Sequence, residues 1–526
     1  MLGSEAEAQQ RDRPTLSPNI TLIDRFRDRV DLPAPTPPGV ISIGREKQLF
    51  VDDWLIERRT GSRRTFHPVR KHPANPLLTP ERAWERPSVL LSGSVMYDPN
   101  RAQDRFRMWY LCYTPVEDPV TGESIRKDGR ICYATSVDGL RWERPALGLH
   151  PYGSSRSTNI VIPAANGFPG VVLDPRDADP GRRYKAHART NRGHDAFFSH
   201  DGVHWSEPHR MDLDGYDRSS VHWDPVRELW AASTKSWYRT APEALEWRGR
   251  GYQESRDFLH WPRKAAYMAG TTEEGPEIVY ALDAFYYESL YLGAWGRYVA
   301  EPNAHLDPQL AISRNGRHWT RPTEAPWIPL SPLPADYRRK PGPRTPTGVD
   351  PLDPRVPWDY GNTNINSLGP LRVGDELWIY YSGRSSDHRS RPQTGAIGLG
   401  TMRLDGFASL DAGREEVEVV TRPVRLTGPD IRVNADAGEG ELLMEITDLA
   451  GRALPQFSFD RCRPVRSDGV RQTLSWRGNP ELSIVGDQPV RLRVRLRSAK
   501  WYAVWCGEER RWSSPDTETW SAAARR

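Results

Sequence analysis

Hydrophobic and polar residues alternate along this chain in short runs, a period of two that predicts β-strands and leaves little room for helices. From Lys47 onward the runs keep a fixed order. An apolar strand is followed by a polar turn, an aromatic strand, and a third strand that enters a recurrent turn. The predicted first strands are Gly93–Tyr97, Gly170–Leu173, Ser220–Trp223, Glu277–Leu282 and Ile365–Leu371. Their aromatic partners are Phe106–Tyr113, Tyr184–Arg189, Leu229–Trp237, Leu290–Tyr298 and Leu377–Ser382, and the third strands are Ile131–Thr135, Ala196–Ser199, Tyr252–Ser255, Leu310–Ser313 and Ala396–Leu404.

The recurrent turn reads Ser-x-Asp-Gly-x-x-Trp. It occurs as Ser136–Trp142 and Ser199–Trp205, with looser copies at Ser255–Trp261 and Ser313–Trp319. Asp-Gly and Asn-Gly accept the positive φ of a tight hairpin, and the tryptophan is placed to wedge against the next unit. Repeats at a fixed spacing mean stacked copies of one supersecondary unit. Five units of this kind predict an all-β chain: a five-bladed β-propeller followed by a C-terminal antiparallel β-sandwich. The expected domains are a poorly ordered arm over 1–40, the propeller over 41–410, the sandwich over 411–510 and a polar tail over 511–526. The Gln48–Glu57 strand is expected to close the last blade. A Pro-rich insertion, Thr323–Pro357, separates the fourth and fifth units. The sandwich rests on one-sided alternation such as Val490-Arg-Leu-Arg-Val-Arg-Leu496.

Composition adds exclusions. The formal charge is only +4 over 526 residues, so there is no global nucleic-acid footprint. No apolar run reaches the length of a membrane span. The N-terminal residues lack a signal-peptide pattern, which sets the expectation of a cytoplasmic protein. Cys112, Cys132, Cys462 and Cys506 have no metal-ligand spacing and read as reduced, buried thiols; no metal or cofactor is predicted.

In a propeller each first strand starts at one mouth of the central funnel, where each second strand ends. Acids at the first-strand starts are Glu85, Asp217, Glu277 in Glu273-Glu-Gly-Pro-Glu277, and Asp359 with Asn362 and Asn364 after it. Carboxylates converging there repel, so one holds a proton while another stays ionised, the division glycosidic cleavage needs. Glu277 is the expected general acid, Asp217 the base or nucleophile, with Glu85 and Asp359 orienting sugar hydroxyls. Arg189, Arg239, Arg297 and Arg384 fall at second-strand ends and suit an anionic substituent, while Trp237 and Tyr238 offer stacking faces. The plainer reading of each is a turn cap or an ion pair. Asp52 and Asp53 point to opposite faces of their strand. His200, His204, His260 and His318 lie in or beside the repeated turns and read as structural.

The chain resembles the five-bladed propeller glycosidases of glycoside hydrolase families 32 and 43. The resemblance is carried by Leu49-Phe-Val-Asp-Asp-Trp-Leu-Ile-Glu57, His72-Pro-Ala-Asn-Pro-Leu-Leu78, Phe106-Arg-Met-Trp-Tyr110, Arg183-Tyr-Lys185, Glu376-Leu-Trp-Ile-Tyr-Tyr-Ser382 and Val433-Asn-Ala-Asp436. It implies a glycoside hydrolase acting on an oligosaccharide or glycan terminus. Of the three family acids, the first corresponds to Glu85 and the third to Asp217, while Phe168-Pro169 stands where the second would be. Glu277 resembles the family 43 acid in its context. Two other readings stay open: a non-catalytic carbohydrate-binding propeller, and a sialidase-like hydrolase of an acidic sugar.

Overall fold

The computed structural model describes residues 34–117, 124–165, 170–190, 193–216, 218–239, 247–262, 266–270, 277–300, 302–365 and 369–509, plus 26–28. Of these, 26–28, 92, 115–117, 124–128, 238–239, 247–248, 266–270 and 277 are described by backbone alone. The expected arm over 1–25 and 29–33 and the tail from 510 lie outside the described residues.

The described chain is all-β apart from a few single-turn 3₁₀ helices. Three successive antiparallel units each have four strands in chain order. The first is Ser88–Tyr97, Phe106–Glu117, Ser124–Ser136 and Ile160–Ile162; the second Gly170–Leu173, Tyr184–Thr190, Gly193–Ser199 and His209–Arg210. The third is Ser220–Asp224, Leu229–Arg239, Trp247–Ser255 and Ala266–Gly270, with a fifth strand, Phe26–Asp28 of the expected arm, pairing parallel to Trp237–Arg239. The fourth joins Glu277–Tyr287, Leu290–Val299 and His305–Ser313, with bridges to Thr320 and Pro326, and Leu306 pairs Asn362 so that it is continuous with the fifth in one eight-stranded sheet. In the fifth, Asn362–Ile365 and Leu371–Val373 both pair Glu376–Arg384, which pairs Ala396–Arg403.

Hydrophobic clusters join each unit to the next. Trp109 and Phe197 belong to a cluster shared by the first and second units, and Val172 and Trp230 to one shared by the second and third. Tyr252 and Leu282 link the third to the fourth, and Leu292 and Ile379 the fourth to the fifth. Val89 and Ile397 then join the fifth back to the first. A fully buried side chain of this size contributes about 1.5–3 kcal/mol, so these seams hold the units in order.

The repeated turns form as their sequence dictates. Ser136 Oγ accepts the Gly139 N–H at 2.8 Å, and Asp138 Oδ1 accepts those of Leu140 and Arg141, each at 2.8 Å. Gly139, Gly202 and Gly316 take φ of +74°, +81° and +69°. The tryptophans correct one expectation. Trp142, Trp205, Trp261 and Trp319 pack into the cluster shared with the preceding unit, and the indoles of Trp205, Trp261 and Trp319 are turned back to their own turns. Trp319 Nε1, for example, donates to Gly316 O at 3.1 Å.

Two further expectations change. The fifth unit is completed by Arg70–Lys71, which pairs Ala396–Arg403, not by Gln48–Glu57. The bend over 51–55 splits that run: Gln48–Leu49 pairs Ala499–Cys506, while Ile56–Thr60 pairs Val417–Thr421. Arg63–Phe66 pairs Ala408–Ala412, so the segment from 41 to 66 belongs to the C-terminal sheets rather than to the five units. Those two sheets share one core around Val433, Met444, Leu492 and Trp501. Second, Cys112 and Cys132 form a disulfide, whereas reduced thiols were expected; neighbouring strands bring the two together. Cys462 and Cys506 are free and buried.

The insertion is anchored. Trp327 and Ile328 enter the core between the fourth and fifth units, and Val349, Val356 and Tyr360 form a small cluster of their own. Arg339 Nη2 donates to Tyr360 OH at 3.0 Å, and Arg391 N–H to Arg344 O at 2.7 Å.

Candidate functional site

Within each unit the start of the first strand pairs the end of the second, and hydrogen bonds cross from one unit's first strand to its neighbours. Val171 N–H donates to Ser94 Oγ at 3.2 Å, joining the second unit to the first. Ser220 Oγ donates to Leu282 O at 3.1 Å, joining the third to the fourth. Leu91 N–H donates to Ser382 Oγ at 2.7 Å, joining the first to the fifth. Gly93 lies at a register break in its strand, where a Cβ would stand 1.8 Å from Trp109 O. Only glycine lets the backbones approach so closely there.

Arg218 gathers three units at once. From the start of the third unit's first strand, its Nη2 donates to Asp283 Oδ2 of the fourth at 2.6 Å and to Ile365 O of the fifth at 3.3 Å. Both side chains of the Arg218–Asp283 pair are buried, at 6% and 4% exposure. Burial pushes the Asp283 carboxyl above its usual range, against the pull of Arg218 and Arg250. Arg250 braces the same region, donating through Nη2 to Ser233 O at 2.7 Å and through Nε to Ser233 Oγ at 3.0 Å. A buried, charged, hydrogen-bonded constellation of this kind has fixed geometry, a requirement for any site that must orient a polar ligand.

The expected site residues are distributed unevenly around this centre. The backbone of Glu277 heads the fourth unit's first strand, pairing Val299, and its side chain lies outside the described residues. Asp217 also lies outside them; its neighbour Tyr216 donates its N–H to Lys235 O at 3.2 Å, and its other neighbour is Arg218.

Glu85 is fully buried and all its lone pairs are engaged. Oε2 accepts the N–H of Glu81 at 2.9 Å and of Arg82 at 3.0 Å, while Oε1 accepts Tyr110 OH at 2.6 Å and Arg144 Nε at 2.7 Å. Asp359 is also fully buried, and Trp358 beside it packs on Tyr381. Its Oδ2 meets Lys71 Nζ at 2.6 Å and Tyr381 OH at 3.1 Å, and its Oδ1 is buried with no partner. Neither carboxylate presents an open face.

Among the described residues, Arg297 and Arg384 each have a polar partner of their own. Arg297 is held bidentately by Asp307, its cross-strand partner, at 3.1 and 2.8 Å. Arg384 Nη1 donates to Gln393 Oε1 at 2.7 Å. Arg189 is half-buried and faces His194 across the strand pair. Arg239 and Tyr238 end the third unit's second strand, with side chains outside the described residues; Trp237 beside them is half-buried. Asn364 Nδ2 donates to Asn362 Oδ1.

Asp52 is paired with Arg314 at 2.7 Å and Asp53 with Arg64. His204 and His260 each pair with the aspartate of their own turn, at 2.7 and 2.6 Å.

Sequence reasoning passed over Arg218, Asp283, Arg250 and the histidines His187 and His194. Asp283 carried a signal: it is a lone carboxylate inside the apolar run Val279-Tyr-Ala-Leu-Asp-Ala-Phe285, an expensive place for a charge unless a partner waits. Its partner lies 65 residues away, so the pairing itself left no trace in the pattern.

No protein-family model matches the chain, and no curated protein matches it. Solved structures resemble it distantly. A glycosyl hydrolase from Bacteroides ovatus is 11% identical with a TM-score of 0.42, the match covering 68% of this chain and 96% of that one. The β-1,2-mannobiose phosphorylase from Listeria innocua is 12% identical with a TM-score of 0.38, covering 65% and 98%. A family 43 arabinoxylan arabinofuranohydrolase from Bacillus subtilis is 10% identical with a TM-score of 0.35, covering 84% and 99%. At these values the activity of this chain has to be argued from its own residues.

Proposed function

We propose that the five units are the blades of a closed β-propeller, that the C-terminal sheets form an accessory β-sandwich, and that the chain hydrolyses a glycosidic bond at the propeller mouth. The observation that carries this reading is Arg218. It ties the third, fourth and fifth units to one point; Asp217 precedes it in sequence, and its partner Asp283 lies in the strand that Glu277 opens. Two acids on neighbouring first-strand starts, next to a buried Arg–Asp pair, can divide into a protonated and an ionised carboxyl.

In this reading Glu277 protonates the leaving oxygen and Asp217 acts as base or nucleophile. Arg218 is tied up by Asp283, so it fixes the segment rather than meeting substrate. Glu85 and Asp359, enclosed by their partners, hold their own units in shape instead of touching sugar. The substrate is a carbohydrate, an oligosaccharide or glycan terminus. No metal takes part in this scheme.

The test is a neutral and acidic glycan panel read by both binding and reducing-end release. Glu277→Gln and Asp217→Asn are each expected to lower kcat by about 10²–10⁴, the range for removing a general acid or base, while saturable binding persists. Full turnover in either variant rejects its assignment. The enclosure of Glu85 favours one second reading, a propeller that binds carbohydrate without cleaving it; saturable binding by the wild type with no product on any glycan would establish that instead.

A further inference from the structure

The second unit brings two buried histidines to the mouth. His187 lies in Tyr184–Thr190, level with Gly170, so no side chain stands beside it on the inner strand. His194 lies in the adjoining Gly193–Ser199, and the two rings stack with centroids 5.1 Å apart. His187 Nε2 is 2.9 Å from His194 Nδ1, and His194 Nε2 is 3.1 Å from Gly215 O.

Those contacts fix both tautomers. A carbonyl can only accept, so His194 carries its proton on Nε2 and offers the Nδ1 lone pair. His187 must then donate through Nε2, which leaves its own Nδ1 an acceptor, buried and with no partner among the described residues. Burial favours the neutral rings. It carries His194 down to about 4, with the Gly215 bond and Asp195 opposing and Arg189 and Arg210 assisting. It lowers His187 too, helped by the positive charge His194 would carry.

Gly215 opens the short segment that carries Asp217. The same segment is clamped by Tyr216 N–H on Lys235 O at 3.2 Å, by Ser219 Oγ on Tyr216 O at 2.9 Å, and by Arg218 on Asp283 at 2.6 Å. Just upstream, Gln253 accepts the Asp214 N–H at 3.0 Å and donates to its carbonyl at 2.6 Å.

We propose that His187 and His194 form a positioning relay: Gly215 O fixes the His194 tautomer, His187 caps the His194 Nδ1 lone pair while both rings are neutral, and His194 holds Gly215 so that the segment it opens keeps its place. A proton added to His194 Nδ1 removes the acceptor His187 needs and breaks the His187–His194 bond, while Nε2–H continues to donate to Gly215 O. The effect on turnover rests on the catalytic reading of Asp217; the effect on the segment does not.

The full-length protein is labelled with ring-¹⁵N histidine, and the two residues are assigned from His187→Gln and His194→Gln. Both rings are expected as neutral Nε2–H tautomers at pH 7; an imidazolium or an Nδ1–H tautomer in either one overturns the proposal. Amide exchange at Tyr216 is expected to rise at least tenfold in His194→Phe, which fills the space but cannot donate, and to return toward wild type in His194→Gln, whose amide can both donate and accept. Equal protection in all three proteins overturns it as well. On a hydrolysed glycan, His194→Phe is expected to lower kcat at least tenfold with KM within twofold, with recovery in His194→Gln. If the tautomers and exchange behave as expected while the wild type cleaves no glycan, the hydrolase reading fails and the relay stands.

Discussion

At the scale of single residues, the four copies of the turn show one geometry reached with different atoms. Asp257 accepts the N–H groups of Leu259 and His260 at 3.0 and 2.8 Å, and Asn315 makes the same contacts to Arg317 and His318 at 3.0 and 2.8 Å. What the turn requires is an acceptor oxygen, not a charge. Partial burial pushes the Asp257 carboxyl up, but His260 and the turn N–H groups outweigh it and hold the group at about 2. The glycine position is more revealing. Phe258 stands there with φ +72°, a costly conformation for a bulky side chain, yet it is 1% exposed and packs on Trp230 and Phe198. Burial of the ring outweighs the backbone strain. Phe258→Gly is therefore expected to destabilise the protein by about 2 kcal/mol, the loss of a core aromatic (about 3–5) less the relief of strain (about 1–3). Denaturant unfolding checks it, and a stabilised variant would mean the ring contributes little.

At the scale of elements, alternation sets the fate of strand Arg491–Arg497. Leu492, Val494 and Leu496 are fully or almost fully buried, while Arg493 pairs with Glu418 and Glu445 at 2.7 and 2.9 Å on the outer face. Leu492→Ala is expected to cost about 2–5 kcal/mol, and Arg495→Ala, whose nearest carboxylate is 3.5 Å away at a half-exposed site, no more than about 0.5. Unfolding midpoints of the two variants separate these outcomes; equal losses would show that the outward arginines carry the sheet. This strand was legible because a period of two states which face is buried. The Arg70–Lys71 closure was not, since two polar residues have no period to read, and the longer apolar run at Gln48–Glu57 competed for the role. The candidate site residues show the same division. Acids at strand starts could be picked out one by one, but the enclosure of Glu85 by Tyr110 and Arg144 depends on contacts 25 and 59 residues distant.

At the scale of the whole molecule, the five units and the C-terminal sheets meet over a buried charge cluster. Lys47 Nζ lies 2.9 Å from Asp405 and from Glu509 and 3.8 Å from Glu288, and Tyr287 OH donates to Asp405 at 2.7 Å. Asn434 Nδ2 also reaches Asp405, at 3.1 Å, and Arg372 and Arg471 hold Glu509 from the far side. Burial pushes Glu288 up to about 7 although Lys47 pulls it down. Glu509, also raised by burial, is brought down to about 2 by Arg372, Lys47 and Arg471. The two act in opposite directions. Glu288, raised, favours the folded state most below its ordinary value, and that contribution fades as pH rises toward 7. Glu509, depressed, contributes above its ordinary value and loses that contribution as pH falls toward 2. Glu288→Gln should therefore leave stability at pH 5 nearly unchanged and remove much of the decline between pH 5 and 8, as thermal unfolding across that range would show. A variant that declines as steeply as wild type would place the titrating group elsewhere.

The sequence by itself determined the all-β character, most of the strands and the recurrent turns, because each depends on atoms within a few residues: an Asp oxygen over two N–H groups, a side chain above or below its own strand. Tertiary structure decided which strand closes the fifth unit, which acids are enclosed, where the N-terminal segment pairs, and that Arg218, Asp283 and Ile365 meet. Periodicity fixes the face a residue shows but carries no information about the partner that face will find, and a charge buried between units takes its chemistry from that partner.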